Sequence, residues 1–361
     1  MKVFHITSVH PRYDTRIFKK ECISLANAGY DVSLIVCDGQ GDEILDKVRI
    51  LDIGNYNRGN RIRRFLIAPK KIKKIVLENK NVAVVHFHDP ELIFLGKDLT
   101  KKGIKVIYDS HENVPKQIMS KPYIPVFARR IISNIVNKLE LSSVKKIAAV
   151  VTVTEEIQQR FHKINKNTVL VRNYPIIASF SEPDYRKKNM SFLYAGGVTK
   201  IRGALEMSKA GELAQEKIKY YGPIESAIES TLKESSGCDI FGNVLQEKLI
   251  MEYQKSSVGL CVLHKVPNYL DSYPIKLFEY MASGMAVISS DIPMWKEIIE
   301  KFKCGICVNP SDVEEIAKTI IYMKEHPKEV EQMGRNGRKA VEDCFSWENE
   351  SIVLDNLYKT L

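Results

Sequence analysis

The stretch of sequence that decides the fold is DSYPIKLFEYMASG, residues 271–284. A polar loop containing Pro274 leads into a short amphipathic helix, and Gly284 ends that helix before the apolar strand AVISS. Backbone amides at a helix start point outward and favour anions, and Lys276 would lie in that first turn. Glu279 follows at i+3 spacing, so it either pairs with Lys276 or accepts hydrogen bonds from a ligand.

Apolar runs of strand length alternate with helical patterns on both sides of this stretch. The predicted strands are 3–7, 32–36, 82–87, 105–108, 149–153, 168–171, 192–195, 218–221, 258–263 and 286–290. Strands rich in Val and Ile that alternate with helices indicate parallel sheets covered on both faces. Residues 172–186 contain two prolines and little periodicity, so we predict a linker there between two doubly wound α/β domains, 1–175 and 176–347.

The composition of the 361 residues is that of an ordinary folded protein, with 44% hydrophobic and 27% charged residues. The seven cysteines are scattered, and the one close pair, Cys304 and Cys307, has no second pair nearby, which argues against a zinc site and favours a reducing, cytosolic setting. No run of about 18 apolar residues predicts a membrane span. The first residues, MKVFHITSVHPRYD, are too polar to predict a secretory signal.

The positive charge is concentrated in the first half. Up to Pro175 there are 31 Lys and Arg against 17 Asp and Glu, a net +14, whereas the remainder carries −4. Residues 58–74, RGNRIRRFLIAPKKIKK, place eight basic residues among apolar ones. Such a segment either binds an anionic membrane surface or packs its apolar positions into the domain and leaves its charges solvated.

Residues 271–284 resemble the signature of glycosyltransferase family 4, a retaining family with the GT-B fold of two Rossmann-like domains facing each other across a cleft. The resemblance rests on an acidic residue, seven spacers, a Glu and a small-residue helix end with Gly. It implies that Glu279 binds the donor ribose and that Asp271, where the family more often has Glu, approaches the donor sugar. The donor-binding residues implied in this segment are Asp271, Ser272, Tyr273, Pro274, Ile275 and Glu279.

The segment FLYAGGVTKIRG resembles the strand, glycine loop and helix with which the family grips a diphosphate. Family members usually have Arg after the first glycine and Lys before the later one, and these positions hold Gly197 and Arg202 here. The resemblance implies a donor loop at Gly196 and Gly197, with Arg202 as one cation and Lys276 as a replacement for the other. The alternative is a plain tight turn with a solvated Arg202. The glycines do not fit GxGxxG, so no dinucleotide cofactor is predicted.

A second loop of the same domain is similar to the family's nucleobase loop. It comprises Asn243, Val244 and Leu245, and Asn243 could equally be a turn residue.

Polar motifs follow three predicted strands of the first domain, where a doubly wound domain places its site. His111 in YDSHE matches the family histidine that lies beside the donor sugar and acceptor. Asp14, Arg16 and Asp89 are candidates for acceptor contacts, and the opening HPRYDTRIFKKE resembles a subset of bacterial members. His86, His88 and Asp89 form an HxHD pattern that suggests a metal. Because adjacent strand residues alternate faces and the family needs no metal, we predict no metal site and a structural role for His86.

The predicted function is therefore metal-independent transfer of a sugar from a nucleotide sugar, with UDP as the expected base, to a glycan or polyprenyl-linked glycan in bacterial polysaccharide synthesis. The implied catalytic residues are His111, Arg202 and Lys276, without a cofactor. The resemblance also implies that the final helix, within 348–361, packs back on the first domain, and that the enzyme works on the inner face of the cell membrane. Two alternatives stay open: a GT-B sugar-nucleotide epimerase and a basic nucleic-acid-binding module, although no zinc finger, RRM or helix-turn-helix motif supports a nucleic-acid partner.

Overall fold

The computed structural model describes residues 1–56, 61–120 and 124–361. The chain divides into two compact units, one formed by Met1–Asn173 with Glu348–Leu361 and the other by Tyr174–Trp347. Each unit contains one sheet of mainly parallel strands with helices packed against it. None of the helices in these residues is long and apolar enough to cross a membrane.

The first unit is built on an eight-stranded sheet with the order β3-β4-β2-β1-β5-β6-β7-β8. Its strands are β1 (Lys2–Ile6), β2 (Asp31–Val36), β3 (Glu43–Leu45), β4 (Val48–Asp52), β5 (Val82–Phe87), β6 (Lys105–Ser110), β7 (Ala149–Thr152) and β8 (Thr168–Leu170). Strand β3 pairs antiparallel to β4, and the other pairs are parallel. The central strands are buried on both faces, as their continuous Val and Ile runs require.

Helices connect and cover these strands. They are α1 (Ile23–Asn27), α2 (Arg61–Glu78), α3 (Ile93–Thr100), α4 (Val114–Ser120), α5 (Val126–Val144), α6 (Glu155–His162) and, from the end of the chain, α15 (Trp347–Thr360). A π-helical turn, Ile17–Cys22, precedes α1. One core cluster packs Phe4, Phe87 and Tyr108 of the sheet against α2, α3 and α6. The first unit therefore buries its sheet beneath helices, and its loops at the strand ends carry the polar motifs.

The second unit is built on a six-stranded parallel sheet with the order β11-β10-β9-β12-β13-β14. Its strands are β9 (Asn189–Ala195), β10 (Ile218–Tyr221), β11 (Cys238–Gly242), β12 (Ser256–Cys261), β13 (Ala286–Ser290) and β14 (Gly305–Val308). Its helices are α7 (Ala204–Ala214), α8 (Ser226–Glu234), α9 (Gln246–Lys255), α10 (Pro267–Leu270), α11 (Ile275–Ala282), α12 (Pro293–Phe302), α13 (Val313–Glu325) and α14 (Pro327–Cys344).

Two core clusters hold this sheet between its helices. On one face α7 and α13 pack on the sheet, and on the other α11, α12 and α14 do so. Residues 172–186, which we predicted to be a linker, belong largely to this unit, because Tyr174 and Phe180 are buried in the second of these clusters. The two prolines interrupt the helical and strand periodicity of this sequence. Its aromatic side chains Tyr174 and Phe180 nevertheless pack in the core of the second unit.

Candidate functional site

The carboxyl ends of three strands of the second unit bring its glycine loops together. Gly196 follows β9, and its amide donates a hydrogen bond of 2.8 Å to the carbonyl of Tyr221 at the end of β10. The amide of Gly222 donates another of 2.8 Å to the carbonyl of Gly242 at the end of β11. Gly196 has a φ of 118°, a left-handed conformation that favours glycine. Open α/β sheets bind ligands at this edge.

Lys276 extends from the first turn of α11 to this edge. Its Nζ is buried and has no hydrogen-bond partner among the described residues, and it lies 3.8 Å from the centre of the Tyr194 ring. Burial lowers the pKa of Lys276 to about 7. A buried ammonium group without hydrogen-bond partners costs free energy. A bound anion would accept its hydrogen bonds and remove that cost.

Arg202 approaches the same glycine loop from the start of α7. A Cβ atom on Gly196 would lie 3.0 Å from Lys276 Nζ and 3.5 Å from Arg202 Nη1. Arg202 Nε donates to the Tyr269 hydroxyl at 3.2 Å, which orients the guanidinium rather than leaving it freely solvated. Two cations therefore converge on the Gly196 backbone, where an anion could contact both of them.

Glu279 lies one helical turn beyond Lys276 and is half-buried. Its Oε2 accepts a hydrogen bond from the Tyr253 hydroxyl at 3.3 Å. Because Lys276 Nζ makes no hydrogen bond among the described residues, a hydrogen-bonded Lys276–Glu279 pair does not explain this spacing. A carboxylate can accept several hydrogen bonds, so the contact with Tyr253 does not by itself prevent contact with a ligand hydroxyl.

The loop before α11 is fixed by contacts within the second unit. The carbonyl of Ser272 accepts from Trp295 Nε1 at 2.7 Å, and the Tyr273 ring packs on Phe278 with centroids 6.0 Å apart. Pro274 caps the helix in an extended conformation, and Ile275 follows it at the surface. Asp271, at the end of α10, is half-buried. The loop is therefore held rigidly ahead of the helix start.

The second predicted donor loop follows β11 at the same edge of the sheet. Asn243 is exposed, Val244 packs partly on the core, and the Leu245 side chain is 79% exposed. The structure thus places this loop next to the glycine loops, and it leaves apolar surface available at Leu245.

In the first unit, loops after β1, β5 and β6 bring several predicted residues together. His111 Nδ1 lies 3.5 Å from Asp109 Oδ2, and the His111 ring meets the His10 ring edge-on at 5.1 Å. His10 also lies 3.5 Å from both Asp14 and Asp89. Burial opposes a charged His10, but the hydrogen bond to Asp14 and the charges of Asp89 and Asp14 outweigh it and raise its pKa.

Asp14 and Asp89 make internal contacts. Asp14 Oδ1 accepts from the amides of Arg16 and Ile17 at 2.8 and 2.9 Å, so it caps the π-helical turn. Burial alone would raise the pKa of Asp14, but hydrogen bonds from His10 and these amides lower it to about 2. Asp89 is buried and accepts from the Thr7 hydroxyl at 3.0 Å. Contact of either carboxylate with an acceptor stays a prediction.

Arg16 is buried and its donors are used within the first unit. It forms two hydrogen bonds of 2.9 Å to Asp109, and its Nη1 donates to the carbonyl of Val171 at 3.1 Å. Its Nε also lies 3.1 Å from Glu21. Arg16 is therefore better placed to position Asp109, which faces His111, than to contact an acceptor directly. The acceptor contact of Arg16 stays a prediction.

The sequence matches two family descriptions that together span most of the chain. Residues 19–173 match Glycosyltransferase Family 4, and residues 225–340 match Glycosyl transferases group 1. The chain belongs to glycosyltransferase family 4. The family 4 signature that we identified at Asp271 and Glu279 lies inside the second of these matches.

Solved structures confirm the GT-B fold of this family 4 glycosyltransferase. Sucrose-phosphate synthase from Thermosynechococcus elongatus is 17% identical with a TM-score of 0.76, covering 99% of this chain and 98% of that one. Anabaena HepE in complex with UDP-glucose is 12% identical with a TM-score of 0.73 and full coverage of both chains.

A mannosyltransferase from Mycolicibacterium hassiacum, described as MMP alpha-(1->4)-mannosyltransferase, is 27% identical over 95 residues. The match covers 26% of this chain, and the chain spans less than a quarter of that relative, 23%.

Several residues of the family 4 enzyme's candidate sites were not predicted from sequence. Tyr194, Tyr253 and Tyr269 contact Lys276, Glu279 and Arg202 respectively, and all three lie outside the signature. In the first unit the missed residues are His5, His10, Glu21 and Asp109. A signal for Asp109 was present, since it directly precedes the Ser-His pair in YDSHE at the end of a predicted strand.

Proposed function

We propose that this protein transfers a sugar from a nucleotide sugar, with UDP as the expected base, to a hydroxyl group of a glycan or polyprenyl-linked glycan. We propose that transfer retains the anomeric configuration and belongs to bacterial surface-polysaccharide synthesis. The observation that carries the proposal is the buried Lys276 Nζ beside Arg202 and Gly196, which makes no hydrogen bond within residues 1–56, 61–120 and 124–361. The UDP-glucose complex of HepE, a protein of the same fold, supports a nucleotide-sugar donor.

In the proposed reaction the bond between the anomeric carbon and the diphosphate breaks, and the acceptor oxygen attacks from the same face. The acceptor proton passes to the leaving diphosphate, so no pair of side-chain carboxylates is required. Arg202, Lys276 and the first amides of α11 stabilise the negative charge that develops on the diphosphate. Because two side chains supply this positive charge, the proposal needs no divalent cation at the diphosphate.

The remaining site residues take binding roles in this proposal. Glu279 accepts hydrogen bonds from the two ribose hydroxyls, and Asp271 lies nearest the donor sugar. Loop 243–245 receives the base. His111, whose Nδ1 lies 3.5 Å from Asp109 Oδ2, positions sugar hydroxyls, and Asp14 and Asp89 are the acceptor candidates of the first unit.

We further propose that the first unit binds an anionic membrane, which would bring it to a lipid-linked acceptor. Helix α5 exposes one apolar stripe: Phe127 is 83%, Ile131 61% and Ile135 52% exposed. Exposed Arg130 and Lys138 lie on the same helix. A stripe of large apolar residues flanked by basic ones suits the interface of an anionic bilayer.

The basic segment 58–74 supports this membrane proposal only in part. Residues 58–60 lie outside the described residues, and the rest forms α2. Ala68 and Ile72 are fully buried, as the packing alternative requires, whereas Phe65 and Leu66 are more than half exposed. Helix α5 therefore carries the stronger argument.

The donor proposal is tested by measuring thermal stability with UDP- and GDP-sugars. A donor at about 100 times its Kd should stabilise the protein by about 2.7 kcal/mol. We expect stabilisation by UDP-sugars and, with a glycan acceptor, release of UDP. Stabilisation by none of the nucleotide sugars would contradict the proposal, and an epimerised nucleotide sugar formed without acceptor would favour the epimerase alternative.

A further inference from the structure

Three histidines and a glutamate meet in the interior of the first unit. His5 lies in β1, His86 in β5, His88 directly after β5, and Glu21 in the π-helical turn. All four side chains are fully buried, and one ligand atom of each lies within 4.8 Å of those of the others. The proposed transfer reaction uses none of them.

Their distances are close to those of a four-ligand metal site. His5 Nδ1 and His88 Nε2 are 3.0 Å apart, and Glu21 Oε2 lies 3.9 and 4.0 Å from these two nitrogens. His86 Nδ1 lies 3.8 Å from the same oxygen. Zinc bound tetrahedrally at about 2.0–2.1 Å separates its ligand atoms by roughly 3.3 Å. The ligand atoms all lie within 4.8 Å of one another, so binding would draw the more distant pairs together by up to about 1.5 Å.

Glu21 lies among buried charged groups of the first unit. Both of its oxygens are buried without a hydrogen-bond partner among the described residues, although Arg16 Nε lies 3.1 Å from Oε1. Arg16 makes its side-chain hydrogen bonds to Asp109 and to a backbone carbonyl instead. The two buried carboxylates, Glu21 and Asp109, thus share the one guanidinium of Arg16, and a buried carboxylate whose charge is only partly compensated is costly.

His88 shows the second feature of a metal ligand. Its Nδ1 lies 3.0 Å from Asp109 Oδ2, so Nε2 faces the cluster, where it makes a 3.0 Å hydrogen bond with His5 Nδ1 that a metal ion would replace. Carboxylates commonly orient metal-bound histidines in this way.

The local backbone also aims Glu21 at the histidines. The amide of Glu21 donates to the carbonyl of Arg16, five residues earlier, at 2.9 Å. This wider π-helical spacing lets Arg16 and Glu21 both face Asp109 and the cluster. Single π-helical turns occur frequently at functional sites.

We propose that His5, Glu21, His86 and His88 bind one divalent transition-metal ion, with zinc as the best fit to three imidazoles and a carboxylate. All four ligands come from the protein and are buried, which is the character of a structural rather than a catalytic site. The ion would tie β1, β5 and the π-helical turn together beneath the loops that hold Asp89 and His111.

The test uses the full chain without a histidine tag, freed of metal with a chelator and then titrated with Zn²⁺ or Co²⁺. We expect one ion per chain, a rise in melting temperature, and the visible spectrum of tetrahedral Co²⁺. Because none of the proposed ligands is a cysteine, the spectrum must lack sulfur-to-cobalt charge-transfer bands, which binding to any of the seven free cysteines would produce. An octahedral or sulfur-ligated Co²⁺ spectrum, or no binding, would overturn the proposal even if every variant failed to fold.

Variants locate the ion. Glu21→Gln and His88→Gln should each weaken Zn²⁺ binding at least 100-fold, whereas His162→Gln, an exposed histidine at the end of α6, should leave it unchanged. His86 Nδ1 also lies 2.8 Å from the Tyr358 hydroxyl, so the ion would have to displace this contact. Tyr358→Phe removes that competing hydroxyl and should therefore retain or strengthen Zn²⁺ binding. Unchanged affinity in Glu21→Gln and His88→Gln would mean a site elsewhere, and the cluster would then be a hydrogen-bonded core with a protonated Glu21.

Discussion

Lys276 combines a helix-start position with a buried ammonium whose pKa is about 7. A bound diphosphate would stabilise the charged form and raise that pKa. Below pH 7 the free protein already carries the charge, whereas above pH 7 donor binding must take up a proton. Donor affinity should therefore fall as the pH rises above about 7, by up to tenfold per pH unit.

The measurement is the Kd of a UDP-sugar between pH 6 and pH 9. Lys276→Arg should remove most of this pH dependence, since arginine stays charged throughout. Lys276→Ala should weaken binding by about 10- to 100-fold, the usual cost of a lost charged hydrogen bond. A wild-type affinity that does not change across this range would contradict the role of Lys276.

Glu279 is expected to act through nucleotide binding. Glu279→Ala should lower donor affinity and kcat/KM together by about 10- to 100-fold, because hydrogen bonds to a charged group contribute about 1.5–3 kcal/mol each. Glu252→Ala is the matched control, since Glu252 also accepts from a tyrosine hydroxyl, that of Tyr221, at 3.3 Å. Isothermal titration with a UDP-sugar measures the effect, and equal losses in both variants would count against a ribose contact.

The proximity of residues within one helical turn could be predicted from the sequence. The proximity of residues that strand pairing brings together could not. Lys276 and Glu279 are three residues apart on a predicted helix, so their proximity followed from helical spacing. His5 meets His86 through the β1–β5 register, and Glu21 arrives from a π-helical turn. The HxHD pattern contains only two members of the buried cluster, His86 and His88, and from it we predicted no metal site. Asp89, the last residue of the pattern, accepts a hydrogen bond from Thr7 and is not in the cluster.

Substitutions on helix α5 give the most direct test of membrane binding. Phe127→Glu with Ile131→Glu should lower binding to vesicles of phosphatidylglycerol by at least tenfold, since two apolar anchors are lost and two negative charges are added. Ile352→Glu on α15, where Ile352 is 59% exposed, is the control for an added surface charge. Sedimentation with vesicles measures the effect. Equal binding of all three proteins would show that α5 does not face the lipid.

Long periodic elements were predicted well, and short or edge elements were missed. Helix α5, Val126–Val144, could be predicted from the sequence, because its apolar pattern is sustained over 19 residues. The pair β3 and β4 was missed, since it is short and largely exposed, and edge strand β11 carries a polar Asp239 and a terminal glycine. In these elements the pairing partner, rather than the local pattern, decides the structure.

Helix α15 belongs to the first unit although the whole second unit separates it in sequence from the rest of that unit. Leu354, Leu357 and Tyr358 are buried there, and the Tyr358 hydroxyl contacts two histidines of the sheet. Leu354→Ala should lower the free energy of unfolding by about 2–5 kcal/mol, as expected for a large side chain removed from a core. Ile352→Ala, on the exposed side of the same helix, should cost less than about 0.5 kcal/mol.

Hydrogen exchange would show which strands lose stability in Leu354→Ala. Amides of β1, β5 and β6 should exchange faster in Leu354→Ala, while β9, β12 and β13 should keep the protection of the wild type. Uniform loss of protection in both units would mean that the two unfold as one cooperative body.

The return of α15 to the first unit also sets an order of folding during synthesis. A ribosome adds about 5–20 residues per second, so the sequence after Asn173 takes roughly 10–40 s to emerge. Throughout that interval the eight-stranded sheet exists without its last helix, and His5 and His86 lack the Tyr358 hydroxyl. The nascent first unit therefore stays incomplete, and accessible to chaperones, until the second unit has been fully synthesised.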